Sequence, residues 1–494
     1  MSKKVTVSTG GHLIDANCKF NGGSLVESGG VVYDCTLNQT DIKSNKNKFY
    51  IMQLIKNGAK YVVYIRYGRI GEQGTTMYKD FNAESQAINF FERQFKTKTG
   101  NNWANKDDFE KKPGKYFLTE LELADVEEEE SESESKSESE TDPLDERVID
   151  LLKLISNTTY MNNTLVQLEI DTDKLPLGKI SQSQIDKAYE ILNEINENLT
   201  DKKLLADLSS NFYMLIPYSC GRSSPPIIDN KKLLGKYVEL LNELSNLVYG
   251  SAAITKLKKD KGNMLKLYQD LHTDITPLEK TNKMYKLLES YIKNSKAPTH
   301  HFNYKIMDIF EINREDERTS YDKFTKKIDN KMLLFHGTRV VNTTGILKNG
   351  LMCDPSKIGI KVSISGKMFG LGLYCASSIS KSIQYTAYDS SDNISVIFVC
   401  EVALGQMLKM KQADCNLTAK NLQKPYQSTY GIGKSSYKNF KEYKGVLIPD
   451  GKLEVIKENK DSCLLYDEFI VYHDEQINLR YIIKLKVDDD DDSD

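Results

Sequence analysis

At 494 residues, 39% hydrophobic and 28% charged, the chain can hold two to four domains with ordinary cores, and no apolar run approaches the roughly 20 residues that span a bilayer. Its eight cysteines are scattered without a CxxC and its start, MSKKVTVSTGG, lacks a signal-peptide core, which argues against a secreted disulfide scaffold, a zinc site and a membrane protein alike. The net charge of −3 hides an asymmetry: residues 1–120 carry 18 Lys/Arg against 12 Asp/Glu and residues 121–143 carry 11 acids against one Lys, so a basic module with an anionic partner sits beside an acidic tether.

In chain order, residues 1–118 read as strands followed by one helix. YVVYIRYGRIG (61–71) is β-branched and aromatic and runs into Gly turns, and NAESQAINFFERQFKTKTG (82–100) has helical apolar spacing that stops at Gly100. Residues 119–143, an acidic Ser/Glu linker, cannot bury a core and are expected to be disordered. Residues 144–261 change character. LDERVIDLLKLISN, SQSQIDKAYEILNEINENL, KKLLADLSSNFYMLI and KKLLGKYVELLNELSNLVYG are all amphipathic at the 3.6 period, and LPLGKIS (175–181) reads as a turn with a cap at Ser181. That predicts an all-helical bundle. Residues 262–487 mix strands such as ISVIFVCEVALG (394–405) with short helices and Gly loops, and 488–494 form an acidic tail. The fold expected is multidomain α+β: a small α+β domain, a helical domain, and an α+β domain with antiparallel sheets.

Three stretches of the last domain carry candidate chemistry. LLYDEFIVYHD (464–474) places Asp467 and Glu468 at the mouth of an apolar strand, where alternation puts Glu468 on the face of Ile470 and Tyr472 and Asp467 on that of Phe469 and Val471. Burying an unpaired charge costs several kcal/mol or shifts its pKa, so Glu468 is either a solvated carboxylate at a strand end or a functional one lining a cleft. LLFHGTR (333–339) sets His336 at a strand end before Gly337, where a ligand can approach backbone; a lone His there is otherwise a solvated side chain. KMFGLGLYCASSISKSIQY (367–385) suggests a mobile loop at Gly370 and Gly372, a short strand ending at Tyr374, and a helix capped by Ser377 or Ser378 on which Ser382 and Tyr385 share a face. Two rings and a hydroxyl can clamp a flat heteroaromatic amide, although any one of these residues can simply pack. FGLGLY lacks the third Gly of a dinucleotide fingerprint, STYGIGKSS (428–436) has Ser428 where a P-loop needs Gly, no Ser-His-Asp elbow occurs, and the six His residues do not cluster as metal ligands.

Taken in order, HGT, GLGLY, SKSIQY and YDEFIVY resemble the catalytic domain of the DNA-dependent poly(ADP-ribose) polymerases, and the resemblance covers nearly the whole chain. RYGRIG (66–71) with FERQFKTKTGNNW (91–103) is similar to that family's WGR domain. DLLKLISN (150–157) with IDTDKLPLGKISQSQIDKAYEIL (170–192) is similar to its helical regulatory domain. LLFHGTR, GILKNGL (345–351) and SCLLYDEFIVY (462–472) are similar to its ADP-ribosyltransferase domain. The resemblance implies a transferase that takes ADP-ribose from NAD, used as a substrate and not as a redox cofactor, without a metal. His336, Tyr374 and Glu468 would form its triad. Gly337, Thr338, Ser382 and Tyr385 would complete NAD binding, with Gly337 holding the nicotinamide amide through its backbone. Tyr67 and Arg69 would contact DNA. Glu at position 468 resembles chain-elongating members. Partners implied are DNA strand breaks, protein acceptors and the chain itself, in the nucleus and without a membrane. Two departures stand out. Tyr67 replaces the Trp of WGR, and Met352 replaces an Arg that usually follows GL, which lessens the expected adenosine-side contacts. The alternatives are a mono-ADP-ribosyltransferase, a polymerase not activated by DNA, and a catalytically dead scaffold on DNA ends.

Overall fold

The structure, a computed structural model, describes residues 12, 14–20, 23–119, 144–168, 181–259, 263–353, 368–388 and 392–489. The expected acidic linker, apart from Thr119, and the tail beyond Asp489 lie outside these residues, as does all of the LPLGKIS turn except Ser181. By internal contacts the chain forms two compact units, residues 1–138 with 165–233, and residues 139–164 with 234–494.

The first unit is built on an antiparallel sheet of β1 (Asp34–Asp41), β2 (Lys46–Asn57), β3 (Lys60–Arg69) and β4 (Thr75–Phe81), ordered β4-β3-β2-β1, with β5 (Phe117–Leu118) added beside β1. Helix α1 (Glu84–Thr99) lays Ala87, Phe91 and Phe95 on this sheet against Trp103 and Tyr33. Phe91 and Phe95 are fully buried, and each such ring stabilises the domain by about 2–3 kcal/mol. Arg66 is buried as well. Its charge is met by Asp15 at 2.6 Å, which also accepts from the Tyr64 hydroxyl, so the buried ion is paired and hydrogen-bonded.

The helical stretches appear as expected in kind: α2 (Glu146–Ile155), α3 (Thr158–Gln167), α4 (Gln182–Glu197), α5 (Lys202–Leu215) and α6 (Lys231–Lys259). Ser181 caps α4 by accepting from the Gln184 N–H, and Asp145 and Asp201 do the same for α2 and α5. The helices divide between the units. Helices α4 and α5 belong to the first, where Asn47 donates to the Tyr218 carbonyl, Lys43 pairs with Asp207 and the Ile42 N–H donates to Ser210. Helix α2 and nearly all of α6 belong to the second.

The second unit centres on a large mixed sheet. Its strands are β6 (Asp274–Pro277), β7 (Phe302–Asn313), β8 (Lys331–Gly337), β9 (Leu373–Ala376), β10 (Ile394–Ala403), β11 (Met407–Met410), β12 (Ser428–Gly431), β14 (Asn439–Tyr443), β15 (Val446–Asp450), β18 (Glu468–Val471) and β19 (Ile477–Asp489). The main order is β11-β12-β18-β9-β8-β10-β19-β7-β6, with the β14–β15 hairpin joined to β8. A three-stranded sheet of β16 (Glu454–Val455), β13 (Gly433–Ser436) and β17 (Leu464–Tyr466) adjoins it. Most pairs are antiparallel; β11–β12, β8–β15 and β13–β17 are parallel. Strand β10 reads as a near-continuous apolar run and is buried along almost its whole length, whereas β19 interrupts its apolar residues with Arg480, Lys484 and Lys486; α7 (Lys283–Asn294) and α9 (Ile379–Ile383) pack on one core through Leu288, Tyr291, Ile379 and Ile383, and α8 (Thr343–Asn349) follows β8. Strand β19 runs on to Asp489, two residues into the expected acidic tail.

Candidate active site

Three adjacent strands bring the catalytic candidates together. On β8, His336 is the last side chain before the terminal glycine. The neighbouring β9 pairs Ala376 with Phe335, and β18 pairs Tyr374 with Ile470 and Ala376 with Glu468. His336, Tyr374 and Glu468 therefore come from one end of one sheet, though 132 residues separate the first from the last.

Each is held in its orientation. The His336 Nδ1 lies 2.9 Å from the Tyr374 carbonyl oxygen; a carbonyl only accepts, so Nδ1 carries the proton and Nε2 is the accepting nitrogen. The Tyr374 hydroxyl donates to the Gly370 carbonyl and accepts from the Phe369 N–H, both at 2.9 Å, and burial pushes its phenol well up. Tyr374 thus acts as a wall. The loop through Gly370 and Gly372 is correspondingly not the mobile element its glycines suggest: Phe369 is buried in a cluster with Leu417, Leu464, Ile470 and Tyr472, and Leu371 donates to the Leu417 carbonyl. Tyr374 also sits inside β9, not at its end.

Gly337 is required by close approach. A Cβ built there would lie 1.9 Å from the Ser382 carbonyl oxygen, so β8 and α9 touch backbone to backbone. This contact sets Gly337 beside Ser382, as a clamp for an amide demands. Ser378 is the N-cap residue of α9, but its hydroxyl makes no cap bond and donates to the Ser295 carbonyl. Helix α9 is only five residues long and ends before Tyr385. Ser382 is buried, whereas Tyr385 is 61% exposed, so its ring is open to stack on a ligand. The residue is open as a whole, but the surrounding protein partly desolvates its hydroxyl end and raises the phenol, with Glu468 and then Glu239 adding to it. Thr338 accepts from Asn342.

The opening ambiguity over the two carboxylates resolves into two different environments. Glu468 is mostly buried and its Oε1 lies 2.7 Å from the Lys381 ammonium, which also donates to the Tyr466 carbonyl. Asp467 is buried more deeply still. Sequence reasoning did not single out Lys381, although it lies inside the SISKSIQY stretch; its spacing from Ser382 put it on another helix face, and only tertiary pairing shows its partner. The same holds for Arg339, directly after HGT, whose guanidinium pairs with Glu243 of α6 at 2.9 Å. Burial raises the Glu243 carboxyl against the pull of Arg339. Among the described residues no group of His, Cys, Asp and Glu is arranged to hold a metal ion.

The DNA-contact candidates lie in the first unit. Tyr67 is 43% exposed and stacks on Tyr50, its cross-strand partner, at 6.0 Å, with Lys98 over the Tyr50 ring. Arg69 donates to Asn45 and to the carbonyls of Gly221 and Ser223, so it holds a β1–β2 turn to the segment after α5.

Comparison with known proteins divides the chain into three matched domains. Family models match in order: the WGR domain over residues 33–110, the poly(ADP-ribose) polymerase regulatory domain over 143–270, and the poly(ADP-ribose) polymerase catalytic domain over 282–487. The chain is similar to poly [ADP-ribose] polymerase 2 of Homo sapiens, 32% identical over 504 residues that cover 98% of this chain and 85% of that one. It is similar to poly [ADP-ribose] polymerase 2-A of Oryza sativa, 34% identical over 470 residues, covering 92% and 70%. It is also 34% identical over 495 residues to poly [ADP-ribose] polymerase 1 of Gallus gallus, an alignment that covers 98% of this chain and about half, 48%, of that protein's length. The matched catalytic domain is an ADP-ribosyltransferase module that uses NAD as its substrate. With three domain matches in family order and relatives aligned across nearly its whole length, the chain belongs to the poly(ADP-ribose) polymerase family.

Proposed function

We propose that this protein is a DNA-break-activated poly(ADP-ribose) polymerase that transfers ADP-ribose from NAD to proteins, itself included, and elongates the chain. The observation that carries the reading is the convergence of the Gly337–Ser382 backbone contact with a Lys381-held Glu468 at one sheet end.

In this reading the Gly337 backbone and Ser382 hold the nicotinamide amide, while Tyr374 and Tyr385 flank its ring. His336 accepts from an adenosine-ribose hydroxyl through Nε2. The glycosidic bond to nicotinamide breaks through an oxocarbenium-like transition state, and nicotinamide leaves as a neutral pyridine, so no strong general acid is needed. Glu468 bonds the nicotinamide-ribose hydroxyl, stabilises the developing cation and orients the acceptor hydroxyl; Lys381 fixes its rotamer. Glu468→Gln should lower polymer formation by roughly a hundredfold or more while NAD binding changes little. Full-length polymer from that variant would sink the assignment.

The regulatory part of the proposal rests on α6. Its Glu243 is tied to Arg339, its Asn246 lies against Gly345, and Glu239 is close enough to the two tyrosines to perturb them. Together with the Tyr160–Asp392 hydrogen bond and the Thr344 bond to the Ile155 carbonyl, this supports a helical cover over the NAD site that DNA binding loosens by a population shift. The basic first domain would bind breaks through phosphate contacts with little sequence reading, and nuclear location follows from that partner. The acidic linker is the proposed automodification segment; added polymer charge would then favour release from DNA. The engagement of Arg69 with protein carbonyls favours a second reading, a polymerase of the same chemistry whose activation does not depend on DNA.

A further inference from the structure

Two phenols hold the loop that leads into Tyr374. Residues 369–371 precede β9 and lie in neither helix nor strand, so their buried backbone groups need partners from elsewhere. The Phe369 N–H donates to the Tyr374 hydroxyl, and the Phe369 carbonyl accepts from the Tyr472 hydroxyl, each at 2.9 Å. The Gly370 carbonyl accepts from Tyr374 at 2.9 Å, and the Leu371 N–H donates to the Leu417 carbonyl. A carbonyl only accepts, so the Tyr472 hydrogen is committed to Phe369. Thr429 of β12, whose Oγ1 lies 2.8 Å from that hydroxyl, is then the donor between the two. The bonds run in one direction, from Thr429 to Tyr472 to Phe369. Phe369 and Thr429 are fully buried and Tyr472 nearly so. The loop is also pressed onto Tyr472: a Cβ at Gly372 would stand 2.6 Å from the Val471 carbonyl oxygen and 3.1 Å from the Tyr472 ring. Tyr374 packs against the apolar cluster that contains Phe369, Ile470 and Tyr472. Tyr472 itself follows directly on β18, the strand that begins with Glu468.

We propose that Tyr472 is a positioning residue for the transfer reaction. Its hydroxyl pins the Phe369 carbonyl and so aims the Tyr374 ring, the wall set against nicotinamide; Thr429 in turn aims the hydroxyl. This deepens the transferase reading and rests on it. Removing the hydroxyl leaves a buried carbonyl without its donor, and the loop must shift to satisfy it. Tyr374 is bonded to the same peptide, so its ring moves with the loop. The ring flanks nicotinamide both in NAD and after release. The shift therefore weakens binding of substrate and product alike and leaves the bond-breaking step largely alone, which is loss of uniform binding.

The test is nicotinamide release from NAD by the full-length protein with saturating nicked DNA, with nicotinamide added as a product inhibitor. Tyr472→Phe keeps the ring and removes the hydroxyl. It should raise the KM for NAD and the nicotinamide inhibition constant together, by about three- to tenfold, with kcat within about twofold of the wild type. Thr429→Val should shift both constants the same way by a smaller factor, whereas Thr429→Ser, which keeps the donor, should hold the wild-type values. A merely structural Tyr472 would lower kcat through loss of active protein and leave both constants in place. An unmoved nicotinamide constant in Tyr472→Phe, or, if that variant does not fold, equal constants in Thr429→Val and Thr429→Ser, overturns the inference while the transferase reading stands. No release by the wild type takes down both.

Discussion

Helices α4–α5 and helices α2–α6 carry the same amphipathic period, yet they are fastened to different things. Helix α5 is tied to the N-terminal domain by Lys43 and the Ile42 amide, and the segment after it by Asn47 and Arg69. Helices α2 and α6 are tied to the catalytic core by Thr344 and by the Arg339–Glu243 pair. A hydrophobic stripe demands only that something apolar cover it; polar contacts decide what. The comparison teaches that one helical segment can serve two masters, one half beside the proposed DNA-contact residues and one beside the proposed NAD site.

Substitutions can break this division or sharpen it. The largest regulatory effect should come from Glu243→Ala, which takes a buried carboxylate away from Arg339 and unfastens α6. DNA-free activity should rise by about tenfold, with the DNA-stimulated rate little changed, as measured by ADP-ribose incorporation. An unaltered DNA-free rate would mean that α6 does not restrain the site. A smaller effect is expected at the other half. Arg69→Ala loosens the turn near Asn45 from the segment at Gly221–Ser223, and the DNA-stimulated rate should fall several-fold while the DNA-free rate holds. Equal loss of both rates would assign Arg69 to general stability.

Much of this was legible before any coordinates. The strand texture of YVVYIRYGRIG, the helix stopping at Gly100, the cap at Ser181 and the helical spacing of four segments are local signals, and local signals survive in the structure. The motif order likewise pointed to the family. What was hidden was tertiary. Two glycines read as a mobile loop because nothing in FGLGLY shows that Phe369 and the Tyr374 hydroxyl are locked in the core. Helix α9 is five residues long, and the serines at its start bond outward to Ser295 and Ala297, partners more than eighty residues away. Strand alternation assigned Asp467 and Glu468 to opposite faces; it could not say that Lys381 pairs with Glu468 while Asp467 bonds Gly433 and Ser436, or that the less noticed of the two is the more buried. Arg339 and Glu243 are 96 residues apart, and no period links them.

Break sensing and chain elongation are proposed to reside in one polypeptide. The most direct measurement is incorporation of labelled ADP-ribose from NAD by the purified full-length protein, resolved on a gel with and without a nicked DNA duplex. The expected product is a smear of long polymer that depends on the DNA. Polymer of equal length and amount without DNA would contradict the sensing half, a single discrete band would contradict elongation by Glu468, and no label under either condition would contradict the enzyme.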